Sequence, residues 1–173
     1  IAGDEQNYSD SLHRSYFAYA HKKNINITAH AGESGGSDNI RSAITNLYAK
    51  RIGHGYACST DNYLMAYLKR NNIHLECCLT SSLKTKSIND INKHPIKTFH
   101  KKNMNFSINT DDPSIFNTSF QNEISLAKHT LQLNNDQIYK IMLNSLESSF
   151  ASRKEKDKIK KILLNNWIKF DKK

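Results

Sequence analysis

The sequence has 173 residues, of which 38% are hydrophobic and 24% charged, a composition typical of a folded domain rather than a disordered chain. No apolar run approaches the roughly 20 residues that cross a bilayer, residues 1–6 lack the basic and apolar parts of a secretion signal, and three cysteines do not suggest a disulfide framework, so we expect a cytoplasmic protein. The net charge of +9 is concentrated at one end, because residues 153–173 hold nine basic and three acidic groups, against sixteen and thirteen in residues 1–152.

Strand-like and helix-like segments alternate along the chain. Strands are predicted at residues 24–30, 51–56, 73–80 and 103–112. Helices are predicted at residues 8–24, 37–48, 60–71, 94–103, 119–133, 136–150 and 152–170, and a polar loop at residues 81–93. Four strand and helix repeats with short connections predict parallel β/α units, which belong either to an open doubly wound sheet or to part of a (β/α)8 barrel.

Helical spacing also predicts which side chains face the core. In the first helix, which Ser9 or Asp10 is predicted to cap, they are Leu12, Tyr16, Phe17 and Ala20. In the third helix, which Thr60 or Asp61 is predicted to cap, they are Tyr63, Leu64, Tyr67 and Leu68.

The C-terminal segment, residues 152–173, is predicted to be a basic amphipathic helix within a single domain of residues 1–173. Its apolar side chains recur at helical spacing and are Ile159, Ile162, Leu163, Trp167 and Phe170. The lysines between them are then the solvated face of a packed helix. Binding of a polyanion or a membrane surface is the alternative, and we expect neither nucleic acid nor membrane as a partner.

Polar and titratable residues follow the predicted strands. They are Gly3, Asp4 and Glu5 after a short initial run that resembles the end of a strand, then His30 and Glu33, then His54, and finally Asp111 and Asp112. Parallel strands bring their carboxyl ends to one rim, where ligands bind. Imidazole and carboxylate groups are a ligand set for Zn²⁺, so the pattern predicts a zinc site with an open position for water.

Each of these residues also has an ordinary structural explanation. His30 could be a hydrogen-bonded core residue, Glu33 a first-turn acid of the next helix, and the Asp111, Asp112, Pro113 sequence a turn with a helix cap. Two adjacent acids at the end of an apolar strand would, however, repel each other unless a cation were near. Because candidate ligands follow three separate strands, the pattern favours a zinc site over these structural explanations.

Other common motifs do not occur in this sequence. Glycine-rich phosphate loops, CxxC and HExxH are missing. We therefore predict that Cys77 and Cys78 are core residues rather than ligands, and Ser81 and Ser82 lack the GxSxG motif of a serine hydrolase.

Four motifs, in this order and with these separations, resemble the adenosine and AMP deaminase family of metallo-dependent hydrolases. They are IAGDE at residues 1–5, HAGE at 30–33, RIGHGY at 51–56 and SINTDDP at 107–113. The resemblance covers the chain up to its final helices and is strongest to the adenosine deaminases. It implies an α/β fold, the C-terminal half of a (β/α)8 barrel from the end of strand 4 through strand 8. It also implies zinc-dependent hydrolysis of adenosine to inosine and ammonia in purine salvage.

The resemblance further implies roles for individual residues. His30 and Asp111 correspond to zinc ligands, and Glu33 to the acid that protonates N1 of the purine as C6 is attacked. His54 corresponds to the residue that orients or deprotonates the attacking water. In substrate binding, Asp112 corresponds to the partner of N7 and the backbone of Gly3 to the partner of N3.

Two departures from the family pattern affect these expectations. The HxH motif that supplies two further zinc ligands does not occur in the sequence, and a (β/α)8 barrel commonly needs about 250 residues. We therefore expect the chain to be a C-terminal portion, inactive alone, whose partner is the missing N-terminal half of the barrel. Residues 77–82, CCLTSS, stand where the family often has a proline followed by Ser-Asn.

Two alternative functions stay open at this point. One is a non-catalytic binding module that acts through the basic segment at residues 153–173. The other is a related enzyme that deaminates adenine or AMP in place of the nucleoside.

Overall fold

The computed structural model describes residues 1–7 and 10–171, with side chains described at residues 1–7 and 12–167. The predictions that fall outside the described side chains are the capping of the first helix by Ser9 or Asp10 and the position of Phe170 on the C-terminal helix.

Four short strands form one parallel sheet. They are β1 (Thr28–Ala31), β2 (Arg51–His54), β3 (His74–Cys77) and β4 (Phe106–Ile108). Each strand pairs with the next along the chain, in the order β1, β2, β3, β4, without a reversal of direction. This consecutive order is the arrangement of strands in the wall of a barrel.

Residue Ile1 extends the sheet beyond β1. Its amino group donates to the carbonyl of Thr28 at 3.2 Å, and its carbonyl accepts from the N–H of His30 at 2.8 Å. Two such bonds on either side of Ala29 are the pattern of a parallel pair. The initial run therefore behaves as the strand end that the sequence predicts.

The helices follow the strands and cover one face of the sheet. They are α1 (Arg14–Lys22), α2 (Ser37–Thr45), α3 (Asn62–Arg70), α4 (Leu79–Lys84), α5 (Ile96–Lys101), α6 (Pro113–Phe116), α7 (Phe120–Leu131), α8 (Asn135–Ser148) and α9 (Arg153–Asp171). Short 3₁₀ segments lie at Asp10–His13, Tyr56–Thr60 and Ile91–Lys93.

An apolar core lies between the sheet and these helices. Its central row runs across the four strands as Ala29, Ile52, Leu75 and Phe106. Large side chains from the helices cover this row, among them Ile40, Leu64, Leu68 and Phe99. Burial of each such side chain stabilises the fold by about 1.5–3 kcal/mol relative to an exposed one.

The opposite face of the sheet carries polar side chains. Arg51 Nε lies 3.2 Å from Glu76 Oε1, and the hydroxyl of Thr28 lies 3.2 Å from Glu76 Oε2. The guanidinium of Arg51 stacks on the ring of Phe150, 4.1 Å from its centroid. This face corresponds to the interior of a barrel, and at this level it is filled by an ion pair rather than by aliphatic groups.

The structure corrects three sequence predictions about helices. Leu12 and Tyr16 are 66% and 73% exposed, because the segment that holds Leu12 is a 3₁₀ turn, which changes the helical phase. In α3, Tyr63 and Tyr67 are 88% and 39% exposed, and Met65 is buried. Residues of the predicted polar loop form α4, which begins at Leu79. The cap of α3 is Asp61, whose carboxylate accepts from the N–H of Leu64.

The C-terminal helix α9 packs on α8 through a narrow stripe. The ring of Trp167 lies 5.3 Å from that of Tyr139, while Ile159 and Ile162 are about half exposed. The exposure of these two isoleucines corrects the prediction that they face the core. Two basic residues, Arg153 and Lys160, reach the carboxylate of Glu147 at 3.4 Å each. No helix in the described part of the chain is both long enough and apolar enough to cross a membrane.

Candidate active site

Four titratable side chains from three strand ends meet at the carboxyl edge of the sheet. The centre of the group is His54, which is 1% exposed. Its Nε2 atom lies 3.3 Å from Nδ1 of His30, 3.4 Å from Oε2 of Glu33 and 4.0 Å from Oδ2 of Asp111. Residues far apart in the sequence are therefore brought together as the strand pattern predicts.

The backbone conformation explains how His54 reaches this group. Strict alternation along β2 would place His54 on the same face as Ile52, which faces the apolar core. Instead His54 has a φ of 65°, a left-handed conformation that is uncommon for a residue with a side chain. Asp111 has a similar φ of 58°. Seven further non-glycine residues of the described chain also have a positive φ, so the conformation itself does not mark a site; at His54 it accounts for the direction of the side chain.

Burial and neighbouring charges shift the pKa values in this group. Burial lowers the pKa of His30, and the neighbouring His54 lowers it further. Burial likewise lowers the pKa of His54. Burial raises the pKa of the Glu33 carboxyl, and the negative charge of Asp111 raises it further. Both imidazoles are thus favoured in the neutral form, the form that binds metal ions.

The arrangement fits a metal ion. Donor atoms of His30, Glu33 and His54 all lie within 4.8 Å of one another, and so do those of His54, Cys78 and Asp111. Nitrogen and oxygen donors at these separations suit Zn²⁺. The fit rests on the chemistry of the donors and on two buried imidazoles kept neutral beside two carboxylates.

The loop that carries Glu33 is held by a carboxylate from the start of the chain. Glu5 accepts hydrogen bonds of 2.6 Å from three successive N–H groups, those of Gly32, Glu33 and Ser34. Gly32 has a φ of 71°, and a β-carbon there would lie 2.5 Å from Ile40 Cδ1. The sequence pattern placed Glu5 at the rim but gave it no role. In the structure its carboxylate holds the loop in place through these three hydrogen bonds.

Of the three residues predicted to bind substrate, Glu33 lies within the group and Gly3 and Asp112 lie at its edge. Gly3 lines a cleft of about 90 Å³ together with His30, and its φ of 131° is one that side-chain-bearing residues rarely adopt. Asp112 is exposed and directly precedes α6, where its carbonyl accepts from the N–H groups of Ile115 and Phe116. Among the described residues, neither group of candidate metal donors includes Asp112.

Three residues near the site were not assigned to it from the sequence. The hydroxyl of Ser81 donates to Oδ2 of Asp111 at 2.7 Å, and that of Thr85 lies 3.3 Å from Oε1 of Glu33. Cys78, which the sequence predicts to be a core residue, is buried but lies beside His54 and Asp111. The cysteine pair and the serine pair were dismissed because no standard motif contains them.

Comparison with known proteins identifies a family and a size difference. A family model described as adenosine deaminase matches residues 1–165. The adenosine deaminase of Photorhabdus laumondii is 41% identical over 160 residues, which are 92% of this chain and 48% of that protein. The chain therefore spans about half the length of the curated relatives it matches.

Solved structures show the same fold. An adenine deaminase from Arthrobacter aurescens is 24% identical with a TM-score of 0.88, and the match covers 100% of this chain and 51% of that one. An amidohydrolase from Burkholderia ambifaria, solved with bound Zn, is 20% identical with a TM-score of 0.91, and the match covers 99% and 48%. The predicted fold, half of a (β/α)8 barrel, is confirmed.

Proposed function

The chain belongs to the adenosine deaminase family, and we propose that it forms the C-terminal half of a zinc-dependent enzyme that hydrolyses adenosine to inosine and ammonia. The observation that carries the proposal is the meeting of His30, Glu33, His54 and Asp111 within one group. We place this reaction in the cytoplasm, as a step of purine salvage.

His30 and Asp111 would hold the zinc ion in the complete protein. They are the first and last members of the group, and each approaches His54 from a different strand end. When bound, Zn²⁺ can lower the pKa of a water molecule to about 7. The remaining zinc ligands would come from outside the described residues.

Glu33 and His54 would handle the protons. Attack on C6 of a purine disrupts an aromatic ring, and the cost falls when the neighbouring N1 takes a proton. Glu33 is suited to supply that proton, because partial burial beside Asp111 favours its protonated form. His54, buried and neutral, is suited to accept a proton from the attacking water and to orient it.

Gly3 and Asp112 would contact the purine, the first through its backbone at N3 and the second through its carboxylate at N7. Gly3 lies in the same cleft as His30, which supports this position. Glu33 would contact the base at N1, so that three points fix the ring in one orientation.

The proposal is tested with a chimera in which these 173 residues follow the N-terminal half of the Photorhabdus laumondii enzyme. We expect the chimera to bind zinc stoichiometrically and to deaminate adenosine, while the 173-residue chain alone is inactive. Adenine and AMP are assayed in parallel, because a relative of similar fold is an adenine deaminase. If the chimera prefers adenine or AMP, that compound replaces adenosine as the proposed substrate. A folded, zinc-loaded chimera that deaminates none of the three would contradict the proposal.

A binding module that acts through the basic helix α9 stays a prediction. Retention of the chain on heparin, weakened by salt and by replacing Lys158 and Lys161 with Glu, would support it.

A further inference from the structure

A single short helix touches both carboxylates of the site. Ser81, on α4, donates its hydroxyl to Oδ2 of Asp111 at 2.7 Å. Thr85, directly after α4, lies 3.3 Å from Oε1 of Glu33. The two hydroxyl residues are four positions apart, so they lie on the same face of the helix.

The two contacts differ in quality. The hydroxyl of Thr85 has other acceptors close by, Ser82 O at 3.4 Å and Ser87 Oγ at 3.2 Å, and it can donate to only one of them at a time. Ser81 is fully buried, and its hydroxyl has a short bond to a charged acceptor. Hydrogen bonds to ionised groups are roughly twice as strong as neutral ones. The inference therefore rests on Ser81.

The helix that carries Ser81 is itself held firmly. A fully buried carboxylate, that of Glu123 on α7, accepts from the N–H groups of Leu79 and Thr80 at 3.1 and 3.2 Å, and from the hydroxyl of Thr118 at 2.8 Å. An anion at the first turn of a helix satisfies N–H groups that have no partner within the helix. Because α4 is tied at this end, Ser81 is a fixed donor rather than an adaptable one.

A second buried contact ties the next residue of α4. The hydroxyl of Ser82 donates to the carbonyl of Leu79 at 2.8 Å and lies 3.0 Å from Nε2 of His94. His94 Nδ1 accepts from the N–H of Ile96, so Nε2 carries the proton and donates to Ser82. Ser82 thus serves the packing of α4, whereas its neighbour Ser81 points its hydroxyl to the site.

We propose that Ser81 is a positioning residue for Asp111: its hydroxyl fixes the rotation of the Asp111 carboxylate and so prepares it to bind a cation. Asp111 sits on a backbone in the left-handed region and is not in a regular element, so its side chain needs such a partner to be held in place. The inference rests on the proposed function only in taking Asp111 as a metal ligand. Partners that orient a ligand typically contribute 10–100-fold to metal affinity.

The test compares zinc affinities of the chimera described above, measured by competition with a coloured chelator, for the native sequence of residues 1–173 and for Ser81→Ala, Ser82→Ala and Asp111→Asn. We expect Ser81→Ala to bind zinc about 10–100-fold more weakly. Ser82→Ala is the matched control, an equally buried serine on the same helix. It should lower thermal stability but leave zinc affinity unchanged. Circular dichroism confirms that each variant is folded at the temperature of the measurement.

The outcomes separate the inference from the proposed function. If Asp111→Asn loses zinc affinity and Ser81→Ala keeps it, the positioning role of Ser81 is overturned and the proposed function is not. Equal losses in Ser81→Ala and Ser82→Ala would overturn it as well, because the effect would then be general loosening of α4. A folded chimera of native sequence without zinc affinity, or with an affinity that does not depend on Asp111, would contradict the proposed function and the inference with it.

Discussion

The backbone of Gly53 lies against the ring of His30, so close that a β-carbon at position 53 would be 2.5 Å from His30 Cδ2. The two residues are register partners on neighbouring strands. Because Gly53 has no side chain, it leaves room for the imidazole of His30.

Gly53→Ala should displace the ring of His30 and weaken zinc binding. Because alanine is otherwise acceptable in a strand, the protein should still fold. Zinc competition on the purified chimera measures the effect, and Gly36→Ala is the control, since a β-carbon at position 36 meets nothing within 4 Å. Equal affinity in the two variants would show that the position of His30 does not matter for the metal.

Glu33→Gln should abolish most of the deaminase activity of the chimera. The amide cannot deliver a proton to the purine, and loss of general acid catalysis typically costs 10²–10⁴-fold. Initial rates with adenosine at saturating zinc measure the loss, with Glu147→Gln, a partly exposed carboxylate on α8, as control. A near-normal rate in Glu33→Gln would remove Glu33 from the proposed acid role.

Stability should fall as the pH is lowered below about 6.5, in part because of His94. Burial lowers the pKa of His94 to about 4, so between that value and its ordinary pKa of 6.5 the unfolded chain binds the proton and the folded chain does not. The contribution of the neutral His94 ring to the free energy of unfolding is fully present above pH 6.5 and is lost progressively as the pH falls toward 4. From pH 7 to pH 5 the loss from this residue is about 2 kcal/mol.

The contribution of His94 is isolated with His94→Gln. Urea unfolding of both proteins at pH 7 and pH 5 gives the difference in pH dependence, which removes the parallel effects of other buried histidines. Identical pH dependence in the two proteins would mean that folding does not lower the pKa of His94.

Glu5→Gln should loosen the loop that carries Glu33. The neutral amide has one acceptor oxygen where the carboxylate bonds three N–H groups with two. Hydrogen exchange of the Gly32, Glu33 and Ser34 amides should accelerate. The neighbouring Asp4→Asn is the control, because the Asp4 side chain bonds to Asn7 and not to this loop. Unchanged exchange in Glu5→Gln would show that the loop is held by its own turn.

The residues of the site could be predicted because strand ends are visible in a sequence. His30, His54 and Asp111 each follow a short β-prone run, and parallel strands deliver such residues to one edge. The direction of His54 could not be foreseen, since period-two alternation places it toward the core and only the left-handed φ redirects it.

The contribution of α4 was also invisible in the sequence. Residues 81–84 are mostly polar, and polar runs between strands predict a loop. The helix forms because a carboxylate distant in sequence, that of Glu123, caps its first turn. Likewise the phase of α1 depends on a preceding 3₁₀ turn, so helical spacing placed Leu12 and Tyr16 wrongly, whereas Phe17 and Ala20 do pack against the core.

The strict succession of strands in the sheet has a consequence for how such a chain can be divided. Thr28 pairs with Arg51, and Arg51 with His74, so every ladder closes only a modest loop and carries a small entropic penalty. Each ladder therefore needs only the next repeat along the chain and no distant segment. A chain divided between two repeats therefore keeps, within each part, every strand pairing that the part contains.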